Sequence, residues 1–328
     1  MAVLVTGGAG YIGSHMALEL VDAGEKVVVL DDLSTGFRWS VPQEAHFVGG
    51  DVGDSDLVSR LIDEHGIDSI MHFAAKIVVP ESVADPLTYY SNNTVKTRSL
   101  IETAVTRGIK NFVFSSTAAV YGNGEAPLLS EDMPLAPINP YGRSKLMSEW
   151  MLQDAHSAHG LRYAILRYFN VAGADPKGRS GQSTPQATHL IKVASQAALG
   201  QRPYLDVFGT DYDTPDGTCV RDYIQVSDLA RAHLAALRHL RNDGDCTVMN
   251  CGYGHGASVL DVINVVKKVS GVDFEVRTSP RRPGDPAHLV AKVDRIRSLG
   301  WEPQHDNLEE IVEQALRWER VLAERKAA

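Results

Sequence analysis

The chain has 328 residues, 44% of them hydrophobic, enough to bury a sizeable core in one large or two unequal domains. A net charge of −9 argues against nucleic acid or an anionic membrane as the main partner, because both reward basic patches. No apolar run reaches about 18 residues and no basic, apolar leader precedes the first strand, so neither membrane spanning nor secretion is expected and the cytoplasm is.

Ala2 to Thr6 is an apolar run of buried-strand length, and the segment Gly7 to Gly13 that follows it opens an amphipathic stretch from Ser14 to Ala23. The order is strand, glycine loop, helix. Gly7 permits a tight turn, Gly10 lets a pyrophosphate approach backbone N–H groups at the helix N-terminus, and Gly13 permits close packing of helix on strand. Gly7, Gly10, Tyr11, Ile12 and Gly13 are therefore candidate cofactor contacts. The next strand, Lys26 to Leu30, ends in Asp31-Asp32, where a carboxylate can hold an adenosine ribose by its 2′-hydroxyl and repel a 2′-phosphate. The expected cofactor is NAD rather than NADP.

Farther along, strand-like runs (Ile67 to Phe73, Lys110 to Ser115, Leu161 to Tyr168) alternate with helical segments (Ser55 to His65, Tyr89 to Arg107, Tyr141 to Ala158). That alternation predicts an α/β fold with a Rossmann-type doubly wound parallel sheet. In the last of these helices Tyr141 and Lys145 lie four residues apart on one face, with Asn139 as N-cap and Pro140 in the first turn. A tyrosine pKa of about 10 must fall to about 7 for the phenol to act as a base, which costs about 4 kcal/mol, and a neighbouring ammonium in a water-poor cleft can largely supply it. A base, a hydride acceptor and a pocket suffice to oxidise an alcohol carbon.

After Asn170 the composition turns to Gly, Pro, Ser, Asp and Gln as far as Pro185, which reads as a crossover loop, and Gly209 to Thr218 is a second polar loop. Ile224 to Leu240 reads as a helix and Cys246 to Cys251 as a strand. Ser258 to Ser270, Phe274 to Thr278 and Leu308 to Ala323 read as a small helix-rich lobe. Residues 1–173 are thus expected to form the NAD-binding domain and 174–328 mainly a smaller C-terminal substrate-binding lobe, with about 220–254 returning to the first. Substrate should bind between the lobes, outside the carboxyl ends of the strands. Cys219, Cys246 and Cys251 lack metal spacing and suit a reducing compartment, so neither a metal site nor a disulfide is expected.

The spacing Gly-x-x-Gly-x-x-Gly together with Tyr-x-x-x-Lys resembles the extended short-chain dehydrogenase/reductase family over nearly the whole chain. Within it, Thr6 to His15, Gly50 to Val52, His72 to Ala75, Phe114 to Thr117, Val120 to Gly122, Leu166 to Asn170 and Val220 to Ile224 resemble segments of the UDP-glucose 4-epimerases. The resemblance implies Tyr141 as catalytic base, Lys145 as its electrostatic partner and ribose ligand, and Thr117 as the hydroxyl at the reacting sugar oxygen. It implies Asp31 on the adenosine ribose, Asp51 and Val52 beside the adenine, and Phe73, Ala74, Ala75 and Asn92 along the dinucleotide groove. Ile77 departs from the pattern, standing where relatives carry a lysine. For the UDP-sugar it implies Arg221 and Arg282 at the phosphates, Asp285 at the uridine ribose, Asn170 on the diphosphate side, His189 at a neighbouring position and Phe208 by the uracil. Tyr168 and Phe169 are further substrate candidates, and Leu289 takes the position of a gate to the sugar pocket.

The implied reaction oxidises the sugar 4-hydroxyl, lets the 4-keto sugar turn, and returns the hydride to the other face. A homodimer is implied through the helices Tyr89 to Arg107 and Tyr141 to Ala158. Other UDP-sugar epimerases or a UDP-glucuronate decarboxylase are alternatives, although Ala118 and Ala119 after Thr117 donate no proton. A non-catalytic NAD-sensing regulator is a more remote one, and would be expected to have lost Tyr141 or Lys145.

Overall fold

The computed structural model describes residues 2–123, 126–185, 188–282 and 285–327. The first βαβ unit runs from β1 (Ala2–Thr6) through α1 (Tyr11–Asp22) to β2 (Lys26–Asp31), followed by β3 (His46–Gly49) and α2 (Ser55–His65). β1 is buried along its whole length, and its side chains alternate. Val3 and Val5 enter the core on one face of the sheet, and Ala2 and Leu4 the core on the other. A strand covered on both faces by helices has no polar side, hence the unbroken apolar run. Asp54 caps α2 by accepting from the Leu57 amide, and Gly66 ends it at φ 62°.

β4 (Ile67–His72) leads into the short helix α3 (Val79–Ala84), and where one helix from Tyr89 to Arg107 is expected three pieces meet: the end of α4 (Pro86–Tyr89), a π-helical stretch over Tyr90–Val95, and α5 (Lys96–Thr106). Pro86 sits at the start of α4, as proline does when it opens a helix rather than continuing one. The π stretch places Asn93 in the interior, 2% exposed. Its side chain bonds both the N–H and the carbonyl of Lys76 and the Ser144 hydroxyl.

β5 (Asn111–Thr117), α6 (Pro140–His159) and β6 (Arg162–Tyr168) follow, then β7 (Asn170–Ala172), α7 (Leu190–Ala198) and β8 (Leu205–Phe208). Next come β9 (Val220–Arg221), β10 (Tyr223–Gln225), α8 (Val226–Arg241), β11 (Thr247–Cys251), β12 (Ala257–Ser258) and α9 (Val259–Ser270). The chain closes with β13 (Val276–Ser279), β14 (His288–Leu289), α10 (Asp294–Ser298) and α11 (Leu308–Ala327). The helix expected from Ile224 starts at Val226, because Gln225 is extended and its side chain caps the amides of Ser227 and Asp228. Within the expected helix-rich remainder, Val276–Ser279 is a strand instead, paired in parallel with Leu205–Phe208. After β14, Ala291 forms an isolated parallel bridge with Leu129.

Seven strands form one sheet in the order β11-β6-β5-β4-β1-β2-β3, every pair parallel. The strand order reverses between β1 and β4, and a crevice is expected outside the carboxyl ends of those two strands. β11 returns the chain to the sheet beside β6. Short ladders β12-β9-β14, β10-β7 and β13-β8 lie outside it. No helix among the described residues is long and apolar enough to cross a membrane.

Gly13 carries the tightest of these constraints near the crevice, since a Cβ there would stand 2.1 Å from the Gly7 carbonyl oxygen. Gly13→Ala is expected to destabilise the chain by about 1–3 kcal/mol through overpacking. Thermal melting of the variant beside the wild type checks this; an unchanged or raised melting temperature, as alanine's better helix propensity alone would give, would mean that the loop gives way to the added Cβ.

Candidate active site

At the carboxyl end of β1 the Gly7 amide bonds the Leu30 carbonyl at 2.9 Å, and Gly7 takes φ 71°. Ala74 backbone atoms lie 2.5 Å from where a Gly7 Cβ would be, so the turn and the segment after β4 meet backbone to backbone. Phe73 donates its amide to the Thr6 carbonyl at 2.9 Å, and its ring packs on His233. Gly10 precedes α1 and supplies no side-chain cap, which leaves the first-turn amides, those of Tyr11 and Ile12 included, to an external acceptor. The Tyr11 hydroxyl donates to the Gly173 carbonyl, and burial pushes this phenol well above its ordinary pKa.

Asp31, the last residue of β2, accepts from the Ala9 amide at 2.9 Å and the Leu33 amide at 2.8 Å. Burial raises its pKa against these two bonds. Each oxygen keeps a lone pair for a further donor such as a ribose hydroxyl. Asp51 pairs with Lys96 at 2.6 Å, and the half-buried Val52 packs on the core beside it. Asn92 bonds its neighbour Asn93 at 3.2 Å. An uncapped helix start, a loop that excludes side chains and a terminal carboxylate fit the pyrophosphate and adenosine ribose of NAD.

The second constellation sits where β5 meets α6. Asn139 caps α6 through the Gly142 amide at 2.8 Å, and Pro140 opens it. Tyr141 and Lys145 follow one turn apart, both buried. The Lys145 ammonium donates to the Ser115 carbonyl at 2.8 Å and stands 4.8 Å from the centre of the Phe114 ring. Burial lowers its pKa from 10.5 to about 7, and the charge of Glu149 opposes the fall. Thr117 ends β5, accepts from the Ala119 amide and contacts the Tyr141 phenol, favouring its ionised form. Burial outweighs that contact and raises the Tyr141 pKa. Lowering of Tyr141 by Lys145 within the chain is therefore not found, because the ammonium is turned to Ser115. The Tyr168 hydroxyl bonds the Ser115 hydroxyl at 2.8 Å, and Phe169 lies in the core.

Farther along the chain, Arg221 is 7% exposed and pairs with Asp285 at 2.6 Å, while Arg282 stacks on Phe208 with its guanidinium 3.8 Å from the ring centre. Pro283 and Gly284 of the same predicted run lie outside the described residues. Leu289 pairs with Arg221 across the β14–β9 ladder. His189 Nδ1 is 3.3 Å from the Gln182 amide nitrogen. A cleft brings Asn170 and His189 together with Tyr11, Gln182, Tyr223 and Trp318, and Tyr141 is not among its lining residues. The sequence reading missed Asn93, Glu149, Arg167 and Ser116. Glu149 left a signal as the next rung after Lys145 at four-residue spacing, and Ser116 and Arg167 lie within the segments Phe114 to Thr117 and Leu166 to Asn170 that carry the family resemblance.

The chain matches the NAD dependent epimerase/dehydratase family over residues 3–252. It is 60% identical over 321 residues to a UDP-glucose 4-epimerase of Azospirillum brasilense, covering 98% of this chain and 92% of that protein. The crystal structure of UDP-glucose 4-epimerase from Brucella ovis in complex with NAD superposes with a TM-score of 0.94 at 42% identity, covering 96% of this chain and 97% of that one. The UDP-Glc/GlcNAc 4-epimerase from Campylobacter jejuni gives a TM-score of 0.85 at 50% identity, with 98% and 99% covered.

The buried lysine makes a pH prediction. Its pKa is about 7 folded and near 10.5 unfolded, so between those values the unfolded chain carries the extra proton and rising pH favours the fold. The melting temperature of the wild type minus that of Lys145→Met should therefore climb from about pH 6 to about pH 9. A flat difference would mean that the ammonium is not desolvated.

Proposed function

Because the chain belongs to the NAD dependent epimerase/dehydratase family, we propose that it is an isomerase interconverting UDP-glucose and UDP-galactose by transient oxidation at sugar C4. The observation that carries this reading is the buried group of Tyr141, Thr117 and Lys145 at the end of β5, on the same side of the sheet as the glycine loop. NAD, when bound, supplies the acceptor and later the donor of one hydride, with a positive ring that favours the Tyr141 phenolate. Tyr141 takes the proton of the 4-hydroxyl and returns it when the sugar is reduced again, and Thr117 hydrogen-bonds the same oxygen. Lys145 holds positive charge beneath them and would hold the nicotinamide ribose. Asp31 would take the adenosine ribose, with Asp51 and Val52 beside the adenine and residues 73–75 and Asn92 along the groove.

For the nucleotide sugar, Arg221 and Arg282 meet the phosphates and Asp285 the uridine ribose, with Asn170 and His189 nearby and Phe208 against the uracil. Residues 1–173 and about 220–254 form the NAD-binding part in this reading, and most of 174–328 the sugar-nucleotide part. A homodimer through α6 and the Tyr89–Arg107 segment is supported by apolar side chains left outside: Val95 and Trp150 are each at least half exposed, as are Val83 and Leu87 just before that segment. Cys219, Cys246 and Cys251 are free thiols, which suits the cytoplasm.

UDP-galactose incubated with the protein and no added oxidant should yield UDP-glucose. Tyr141→Phe should keep the fold and the NAD yet lose on the order of 10²-fold or more in turnover. A folded Tyr141→Phe with near-normal turnover would remove Tyr141 from the mechanism.

Sugar size is the finer question. Leu289, paired with Arg221 across the ladder, carries neither ring nor hydroxyl at the proposed gate position and would leave at least partial room for a substituent at C2. UDP-N-acetylglucosamine and UDP-N-acetylgalactosamine should interconvert measurably, and Leu289→Tyr should reduce that activity while UDP-galactose turnover survives. Equal impairment of both substrates would make Leu289 a packing residue only.

A further inference from the structure

Behind Tyr141 and Lys145, α6 carries a third buried polar residue at the same four-residue spacing. Glu149 is 0% exposed and has three charge-assisted contacts with Arg167 of β6, at 3.0, 3.2 and 2.6 Å. It also accepts from the Ser116 hydroxyl at 2.5 Å. Three consecutive residues of β5 are thereby tied to three successive turns of α6: Ser115 by its carbonyl to Lys145, Ser116 by its hydroxyl to Glu149, and Thr117 by its hydroxyl to Tyr141. Arg167 is itself held by the Tyr121 hydroxyl at 3.1 Å, and Tyr121 by Asn250 at 2.6 Å.

We infer that Glu149 is a positioning residue for the reaction: fixed by Arg167 and Ser116, it keeps positive charge on Lys145 and holds the end of β5 in register with Tyr141. This rests on the proposed roles of Tyr141 and Lys145. A lysine beside a phenyl ring, with one carbonyl as its hydrogen-bond acceptor, is poised to lose its proton, and Glu149 is the carboxylate whose charge acts on it. Arg167 and Glu149 form a buried ion pair in which each is the other's counter-charge.

The other titratable groups facing this cluster are His72 on β4, Tyr89 on α4, Tyr121 after β5, and Tyr163 and Tyr168 on β6; Glu131 acts on Tyr121. Burial lowers the His72 pKa to about 3 and raises those of the four tyrosines. None of these five groups changes charge near neutral pH.

The test measures UDP-galactose turnover against pH for the full chain with its NAD, comparing wild type, Tyr141→Phe, Glu149→Gln and the double variant Glu149→Gln/Arg167→Met. Loss of the carboxylate lowers the Lys145 pKa, so the lysine loses its proton at lower pH. Glu149→Gln should lower kcat on the order of 10-fold, leave KM within about twofold, and move the alkaline limb of kcat down by roughly one pH unit. The double variant removes the ion pair without leaving Arg167 unpaired, and should recover the melting temperature relative to Glu149→Gln while keeping the shifted limb. If Glu149→Gln does not fold, the double variant decides alone. A wild-type pH profile in the double variant, or in a folded Glu149→Gln, overturns the inference. With Tyr141→Phe inactive, that result leaves the reading of the active site standing; with Tyr141→Phe active, the reading itself fails and the inference with it.

Discussion

The arrangement at the end of β5 depends on keeping one ammonium charge out of water. Lys145 is 3% exposed, and its near partners are a backbone carbonyl and an aromatic ring. A single neutral hydrogen bond does not offset the desolvation of a cation, which is why the fold places the Glu149–Arg167 pair one turn away. That pair is costly by itself, since both ions are buried, and its geometry has to be good for it to persist. Three contacts between guanidinium and carboxylate, with Ser116 and Tyr121 filling remaining positions, meet that requirement. Polar packing beneath the site and electrostatics within it are thus one structure.

The other half of the crevice is governed by the opposite need, close approach of backbone without side chains. Gly7 and Gly13 exclude Cβ atoms, and the dividend is an α1 N-terminus whose amides face outward with no competing cap. Asp31 ties this loop to β2 through the Ala9 amide, so the residue proposed to read the ribose also fixes the loop proposed to hold the pyrophosphate. A change at Asp31 would therefore be felt in both places.

The parts of this chain that were legible in its sequence are those governed by local rules. The Ser55–His65 helix begins after a capping Asp and ends before a left-handed Gly, and both signals lie in adjacent residues. Tyr141 and Lys145 share a face because helix geometry dictates it. The parts that were not legible depend on distant partners. Asn93 rather than Asn92 is the interior residue, because the π-helical stretch turns it toward Lys76 and Ser144, and no pattern in Tyr90–Val95 announces that turn. Arg167 lies in an apolar strand, where its charge is tolerable only because Glu149, 18 residues earlier, meets it across the β6–α6 interface. The short strand Val276–Ser279 exists because Leu205–Phe208 is beside it.

Arg221 shows how the substrate side can be charged and still stable. A guanidinium that is 7% exposed needs an anion, and within the chain Asp285 supplies it. A diphosphate held by Arg221 competes with that carboxylate, so binding exchanges one charge-assisted bond for another instead of adding a new one. The exchange frees Asp285 to accept from hydroxyls, the role proposed for it at the uridine ribose. Arg282 is differently placed: it is exposed and stacked on Phe208, so its charge is already solvated, and the phosphate contact proposed for it requires no anion to be given up. Of the two arginines, the buried one would link phosphate binding to ribose binding in the proposed site, and Leu289, the residue proposed as the gate, is paired with it across β14 and β9.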